Sequence, residues 1–123
     1  MSSSDALTNG RRIIAIPTAQ GRLCMHFGHC EKYALVRVDC DSKEVLWNRT
    51  VEPPPHEPGL LPRGLHDRGV ELVIAGGMGG RAQQLFTQFG IDLVVGAPPE
   101  PPNEIVRAYL ENTLQTGQNL CDH

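Results

Sequence analysis

Residues 70–81 read "VELVIAGGMGGR", an apolar run that ends in a glycine-rich turn. From Val70 to Ala75 the only polar residue is Glu71. Such a run is the pattern of a parallel strand buried on both faces. Ala82, Leu85, Phe86 and Phe89 follow at helical spacing, with Gly90 as the stop. Residues 91–97, "IDLVVGA", repeat the buried-strand pattern. Strand, helix and strand in this order predict an α/β fold built on β-α units.

Working outward, residues 60–69, "LLPRGLHDRG", predict a short helix with Pro62 early and Gly69 as its stop. The preceding "PPPHEPG" excludes helix and ladder alike. Further upstream, "RRIIAIPT" predicts a strand stopped by Pro17, and "YALVRVD" and "KEVLWNRTVE" predict two more. Their short connections suggest an antiparallel meander. Downstream, "PPNEIVRAYLENTL" predicts a last helix, with Asn103 as candidate cap and Ile105, Val106, Tyr109 and Leu110 inward. The expected order is β-β-β-α-β-α-β-α, a single mixed sheet with helices packed against it. Residues 1–10 are expected to be a flexible extension, 11–115 the domain, and 116–123 a surface tail.

The chain has 123 residues, 40 % hydrophobic and 20 % charged, which suits one globular domain. Its apolar runs are too short to span a bilayer, and no signal segment opens it, so a cytoplasmic location is expected. A net charge of −3 without a basic stripe argues against nucleic acid as a partner. In a reducing compartment the four cysteines are expected as thiols, for metal or redox chemistry.

Three of those cysteines stand in suggestive places. "CMHFGHC" puts Cys24, His26, His29 and Cys30 into seven positions. Residues 24 and 26 point the same way in an extended chain, and Gly28 permits a turn that brings His29 and Cys30 to the same cavity. Thiolate with imidazole suits zinc, copper or iron–sulfur species, not magnesium or calcium. The plain alternative makes Cys24 and Cys30 small core residues beside exposed histidines. Clustering favours the metal, but the spacing is not that of a zinc finger and leaves its identity open. The terminal Cys121 and His123 repeat the Cys-x-His spacing, so a tail folding back to complete the site is expected. Cys40, between two acids, reads as incidental, and His66 as solvated. His56 divides between a surface residue and a ligand or hydrogen-bond donor.

In the glycine turn, Gly76, Gly77, Met78 and Gly79 precede a helix, a geometry that frees backbone N–H groups for an anion. The alternative is a tight turn for close strand–helix approach. Met78 has a soft thioether to offer a sulfur-rich ligand. The P-loop lysine and the full dinucleotide fingerprint are missing, which disfavours nucleotides. No hydrolase constellation stands out, although a Cys–His dyad stays open.

"RIIAIPT", "MHFGHCEKYALVRVD", "PPPHEPGLLPRGLHDRGVELVIAGGMGGRAQQLF" and "GIDLVVGAP" together resemble the dinitrogenase iron–molybdenum cofactor biosynthesis family, over about residues 11–115. That family includes nitrogenase cofactor carriers and the orange protein of sulfate reducers. The resemblance implies a ribonuclease H-like fold, a five-stranded mixed sheet with three helices. It also implies non-enzymatic binding or transfer of anionic metal–sulfur clusters. His26, Phe27 and Gly28 match the family's "HFG", and Gly76 to Gly79 its glycine turn, the two flanking one cluster pocket. "CMHFGHC" with a closing "CDH" resembles a ligand-rich subgroup associated with P-loop ATPases that carry iron–sulfur clusters.

The expectation is therefore a non-enzymatic carrier or scaffold for an iron–sulfur, or molybdenum-containing, metal–sulfur cluster. Cys24, His26, His29 and Cys30 are its expected ligands, with Cys121 and His123 completing the shell. The rivals are a structural zinc site in a protein-interaction domain, and a thiol enzyme using Cys24 or Cys30. Too few ligand cysteines for four thiolates leave a site bridging a homodimer open.

Overall fold

The computed structural model describes residues 11–25, 30–52 and 60–114. β1 (Arg11–Ala19) turns through Gln20 and Gly21 into the short β2 (Arg22–Leu23), and β3 (Lys32–Asp39) and β4 (Glu44–Val51) follow. Then α1 (Leu60–Asp67), β5 (Leu72–Ala75), α2 (Gly80–Gln88), β6 (Asp92–Val95) and α3 (Pro102–Leu110) alternate. The sheet order is β4-β3-β1-β5-β6, with β2 paired to β1. β1 is antiparallel to β2 and β3, and β3 to β4. β1, β5 and β6 run parallel.

The expected mixed sheet and three helices are present, with six strands among the described residues where five were expected. The addition is β2, paired Thr18↔Leu23 and Ala19↔Arg22. Gln20 and Gly21 both have positive φ, as a tight type I′ hairpin turn requires.

Strand period builds the two faces of the sheet. Ile14 and Ile16 of β1, Val36 and Val38 of β3, and Leu72 and Ile74 of β5 share one core with Ile105, Val106 and Leu110 of α3. Ala15, Tyr33, Leu35 and Val73 share the other with Leu65 of α1 and Phe86 of α2. Each fully buried aliphatic or aromatic side chain stabilises the fold by about 1.5–3 kcal/mol. Exposed ion pairs such as Lys32–Glu52 contribute about 1 kcal/mol at most. The two apolar faces, not the charges, hold the layers together.

Three local expectations need correction. Pro17 does not stop β1, which runs on to Ala19 with Pro17 opposite Tyr33. The Pro17 carbonyl accepts from the Cys24 N–H, on the β2 side, so its missing N–H falls on that side and costs the β3 ladder nothing. β6 is not a fully buried strand: its pattern is exposed at Asp92 and intermediate from Leu93 to Val95, because it is the sheet edge. Asn103 does not cap α3, whose cap position is Pro101 with Pro102 beginning the helix.

Candidate metal centre

The segment that begins at Cys24 is tied to β1 at both ends. The Cys24 N–H donates to the Pro17 carbonyl at 2.8 Å, and the Glu31 N–H to the Thr18 carbonyl at 2.8 Å. Leu23 of β2 lies in the α3-side core, so extended chain turns Cys24 toward the opposite face. Cys24 is 6 % exposed, and Cys30, half-buried, packs against the α1/α2-side core. Neither they nor Cys40 form a disulfide.

Tyr33 draws the two thiols together. Its phenol, 2 % exposed, lies in electrostatic reach of Cys30 and Cys24 and is hydrogen-bonded to Cys30. Burial above all pushes the phenol well above its ordinary pKa, and the two cysteines add to the shift. Sequence reasoning missed Tyr33, because its partner is set by strand register rather than by spacing.

The glycine turn divides by role. A Cβ on Gly76 would stand 2.9 Å from Met25 Cα and 3.1 Å from the Cys24 carbonyl oxygen, so close approach explains this glycine. Gly77 is buried. Met78 is fully buried in the α1/α2-side core, which gives it a packing role, and its carbonyl accepts from Gln83 Nε2 at 2.8 Å. Gly79 has open space around its Cβ position and precedes α2 with no side-chain cap bond. Among the described residues no side chain caps that helix start, the position at which helix N–H groups meet anions. The Gly96 N–H donates to the Gly76 carbonyl at 2.6 Å, and the Leu23 N–H to that of Glu100 at 2.9 Å, which fastens hairpin, turn and the loop after β6 into one rim.

Among the described residues no group of three or more His, Cys, Asp or Glu side chains converges as a metal shell would. His26, Phe27, Gly28, His29, His56, Cys121 and His123 lie outside the described residues. Cys40 is half-buried against the α3-side core, away from the other two thiols, and burial chiefly pushes it up in pKa. His66 is exposed, tilted against Phe89. The donor set that is described, two thiols turned to one face beside a glycine turn, fits a thiophilic metal or a metal–sulfur cluster.

Thiols and glycine turn gather beyond the carboxyl ends of β1 and β5, where chain order changes side. That is the position at which open α/β sheets bind ligands, and the class of the protein is an α/β domain with one mixed sheet. The chain belongs to the dinitrogenase iron–molybdenum cofactor family, whose pattern matches residues 10–112. The uncharacterized protein MJ0580 of Methanocaldococcus jannaschii is 33 % identical over 106 residues, 83 % of this chain and 88 % of that one. The crystal structure of PH0822 superposes with a TM-score of 0.75 at 28 % identity, covering 87 % of this chain and 96 % of that one. The apo form of the orange protein from Desulfovibrio gigas shares the fold, with a TM-score of 0.67 at 18 % identity over 88 % and 94 % of the two chains. The family's description ties it to the iron–molybdenum cofactor of dinitrogenase; the orange protein, at 18 % identity, shows the shared fold. Among the described residues no helix is long and apolar enough to cross a membrane.

Proposed function

We propose that this protein is a non-enzymatic carrier or scaffold for an iron–sulfur or related metal–sulfur cluster, in metallocofactor assembly. Cys24 and Cys30 bind the cluster, His26 and His29 join them, and Cys121 and His123 close the shell. Phe27, Gly28 and His56 belong to the pocket wall, and the Gly76–Gly79 turn offers N–H groups to bridging sulfides. The observation that carries this reading is the turning of both described thiols to one face, beside the glycine turn at the parallel strands' carboxyl ends. The family membership supports it. In the same reading the fold is ribonuclease H-like, the domain ends near residue 115, and the protein works in the cytoplasm. Its partner in cluster traffic is a P-loop iron–sulfur ATPase, and a homodimer could share one cluster.

Anaerobic purification with iron, molybdenum, zinc and sulfide analysis, alongside an absorption spectrum, tests the proposal. Stoichiometric iron and sulfide with visible absorption are expected. Zinc without sulfide in a colourless protein would replace the cluster with the structural zinc site, which the same thiol pair also suits. Absence of any bound metal after anaerobic reconstitution would overturn both.

A further inference from the structure

α3 leaves part of its face of the sheet uncovered. β4 is exposed at six of its eight positions. Val45, paired with Val38 of the α3-side core and so on the same face, is 49 % exposed. Between β4 and α3 runs an open groove of about 230 Å³, lined by Ala34, Val36, Val45, Thr50, Pro102 and Val106. A second hollow shares Ala34, Thr50 and Pro102 with it and continues past Thr18 and Gln20 to Glu31. The two form one channel along β3, open at the rim where the Glu31 N–H is tied to Thr18.

The described chain stops at the opposite end of this channel. α3 starts beside the hairpin, with Pro102 in the hollow that holds Gln20, and finishes beside the start of β1, with Tyr109 Oη bonded to Arg12 at 3.0 Å. Asn112, at φ 60°, ends it in a Schellman turn: the Asn112 N–H donates to the Tyr109 carbonyl and the Thr113 N–H to that of Ala108. The turn brings Leu114 back against the α3-side core. From the level of Arg12 to that of Thr18, β1 takes six steps, about 20 Å of extended chain. Residues 115–120, "QTGQNL", are six residues and span the same length when extended.

We propose that residues 115–120 dock in this groove and so deliver Cys121 and His123 to the rim beside Glu31, the neighbour of Cys30. The segment is uncharged, and so are the groove's side chains, because the Arg49 guanidinium lies over Trp47 on the other face. Burial therefore desolvates no charge. Asn48, Thr50 and Asn103 of the groove offer hydrogen-bonding partners to Gln115, Gln118 and Asn119, and Leu120 reaches the apolar wall of Ala34 and Pro102. The inference deepens the proposed function and rests on it only for the use of Cys121 and His123 as ligands.

The test compares the metal-free full chain, labelled with nitrogen-15, with the chain cut after Leu114. The cut should shift the amide signals of Ala34, Val36, Asn48 and Thr50 and leave those of Gln83 and Gln84, on α2, in place. In the full chain, amides 115–120 should exchange severalfold more slowly than in Asn48→Trp, whose ring fills the groove from an exposed position of β4. Both effects should be independent of protein concentration. Groove signals unmoved by the cut would overturn the proposal, as would equal exchange in a folded Asn48→Trp. Shifts that fade on dilution would also overturn it, by putting the same segment of a second copy in the groove. Metal-free protein keeps the two readings apart. Groove shifts without any cluster on reconstitution would fell the proposed function and leave the docking standing, whereas unmoved groove signals in a protein that binds cluster would fell the docking alone.

Discussion

Met25 Cα lies 2.9 Å from the point where a Cβ on Gly76 would stand, closer than real side chains come to a backbone. The first residues of "CMHFGHC" are therefore seated directly on the turn that ends β5. Sequence left two uses of that turn open, an anion cradle and a close approach, and at Gly76 the second accounts for the residue. The two uses separate along the turn, since Gly79 has nothing within 4 Å of its Cβ position.

Gly76→Ala should cost about 1–3 kcal/mol, the range of overpacked sites, and should displace the root of the metal segment and weaken metal retention. Gly79→Ala, in open space, should stay within about 0.5 kcal/mol of wild type. Urea denaturation and metal analysis of both variants check this; equal losses would contradict the close-contact account.

Cys24→Ser with Cys30→Ser should abolish metal retention and keep the fold. The cores of both sheet faces are built chiefly of aliphatic and aromatic side chains, and Cys30 only packs against the edge of one of them. Metal content and circular dichroism are measured on the same sample. Undiminished metal in a folded double variant would remove these thiols from the site.

Arg12 anchors α3 and the β6 edge at once, donating to Tyr109 Oη at 3.0 Å and to Asp92 Oδ2 at 2.6 Å. Burial pulls its pKa down, but the bonds to Tyr109 and Asp92 outweigh that and the net direction is up. Tyr109→Phe should cost about 0.5–1.5 kcal/mol, as for a part-buried hydrogen bond. Asp92→Asn should cost less than about 1 kcal/mol, because the carboxylate is mostly exposed. Thermal denaturation of the two variants gives the order, and the reverse order would contradict it.

Cys40 should alkylate slowly at neutral pH. Burial, above all, raises its pKa; Arg12 opposes, and Asp39, Asp41 and Glu71 add to the rise. A raised pKa means the folded state holds the proton more tightly than the unfolded state. The associated stability is present below the unfolded thiol's pKa and fades as pH rises through the folded value. Iodoacetamide rates against pH should show Cys40 lagging a model thiol, and Asp41→Asn should shorten the lag. A Cys40 as reactive as the model thiol would refute this.

Deleting residues 116–123 should leave the described fold intact and hasten metal loss to a chelator, if Cys121 and His123 are ligands. Amide exchange of residues 118–123 should slow when metal is bound. Unaltered chelation kinetics together with equal exchange would take the tail out of the site.

The parallel half of the fold was legible because an apolar run from Val70 to Ala75, interrupted only by Glu71, has few other solutions. Arg22–Leu23 was not, since two residues carry no period; the signal that would have found it is Gly21 after Gln20 between two apolar stretches. The exposure of β6 was hidden for another reason: lying at the edge is a property of strand order, not of "DLVV". At the site, Cys24 and Cys30 were legible as a cluster in sequence. Tyr33 was not, because nothing local couples it to Cys30 until β3 pairs with β1 and sets Tyr33 opposite Pro17.

The ties of Cys24 and Glu31 to successive carbonyls of β1 make the stretch between them an insert with fixed end points. Pro17 and Thr18 take part through backbone oxygen atoms, which ask nothing of the side chains they receive. Positions 26–29 could therefore be varied, with Met25 and Cys30 kept where they pack, without redesigning the sheet. If the protein carries a cluster as proposed, varying the donor atoms within that span offers a route to changing the cargo while keeping the vessel.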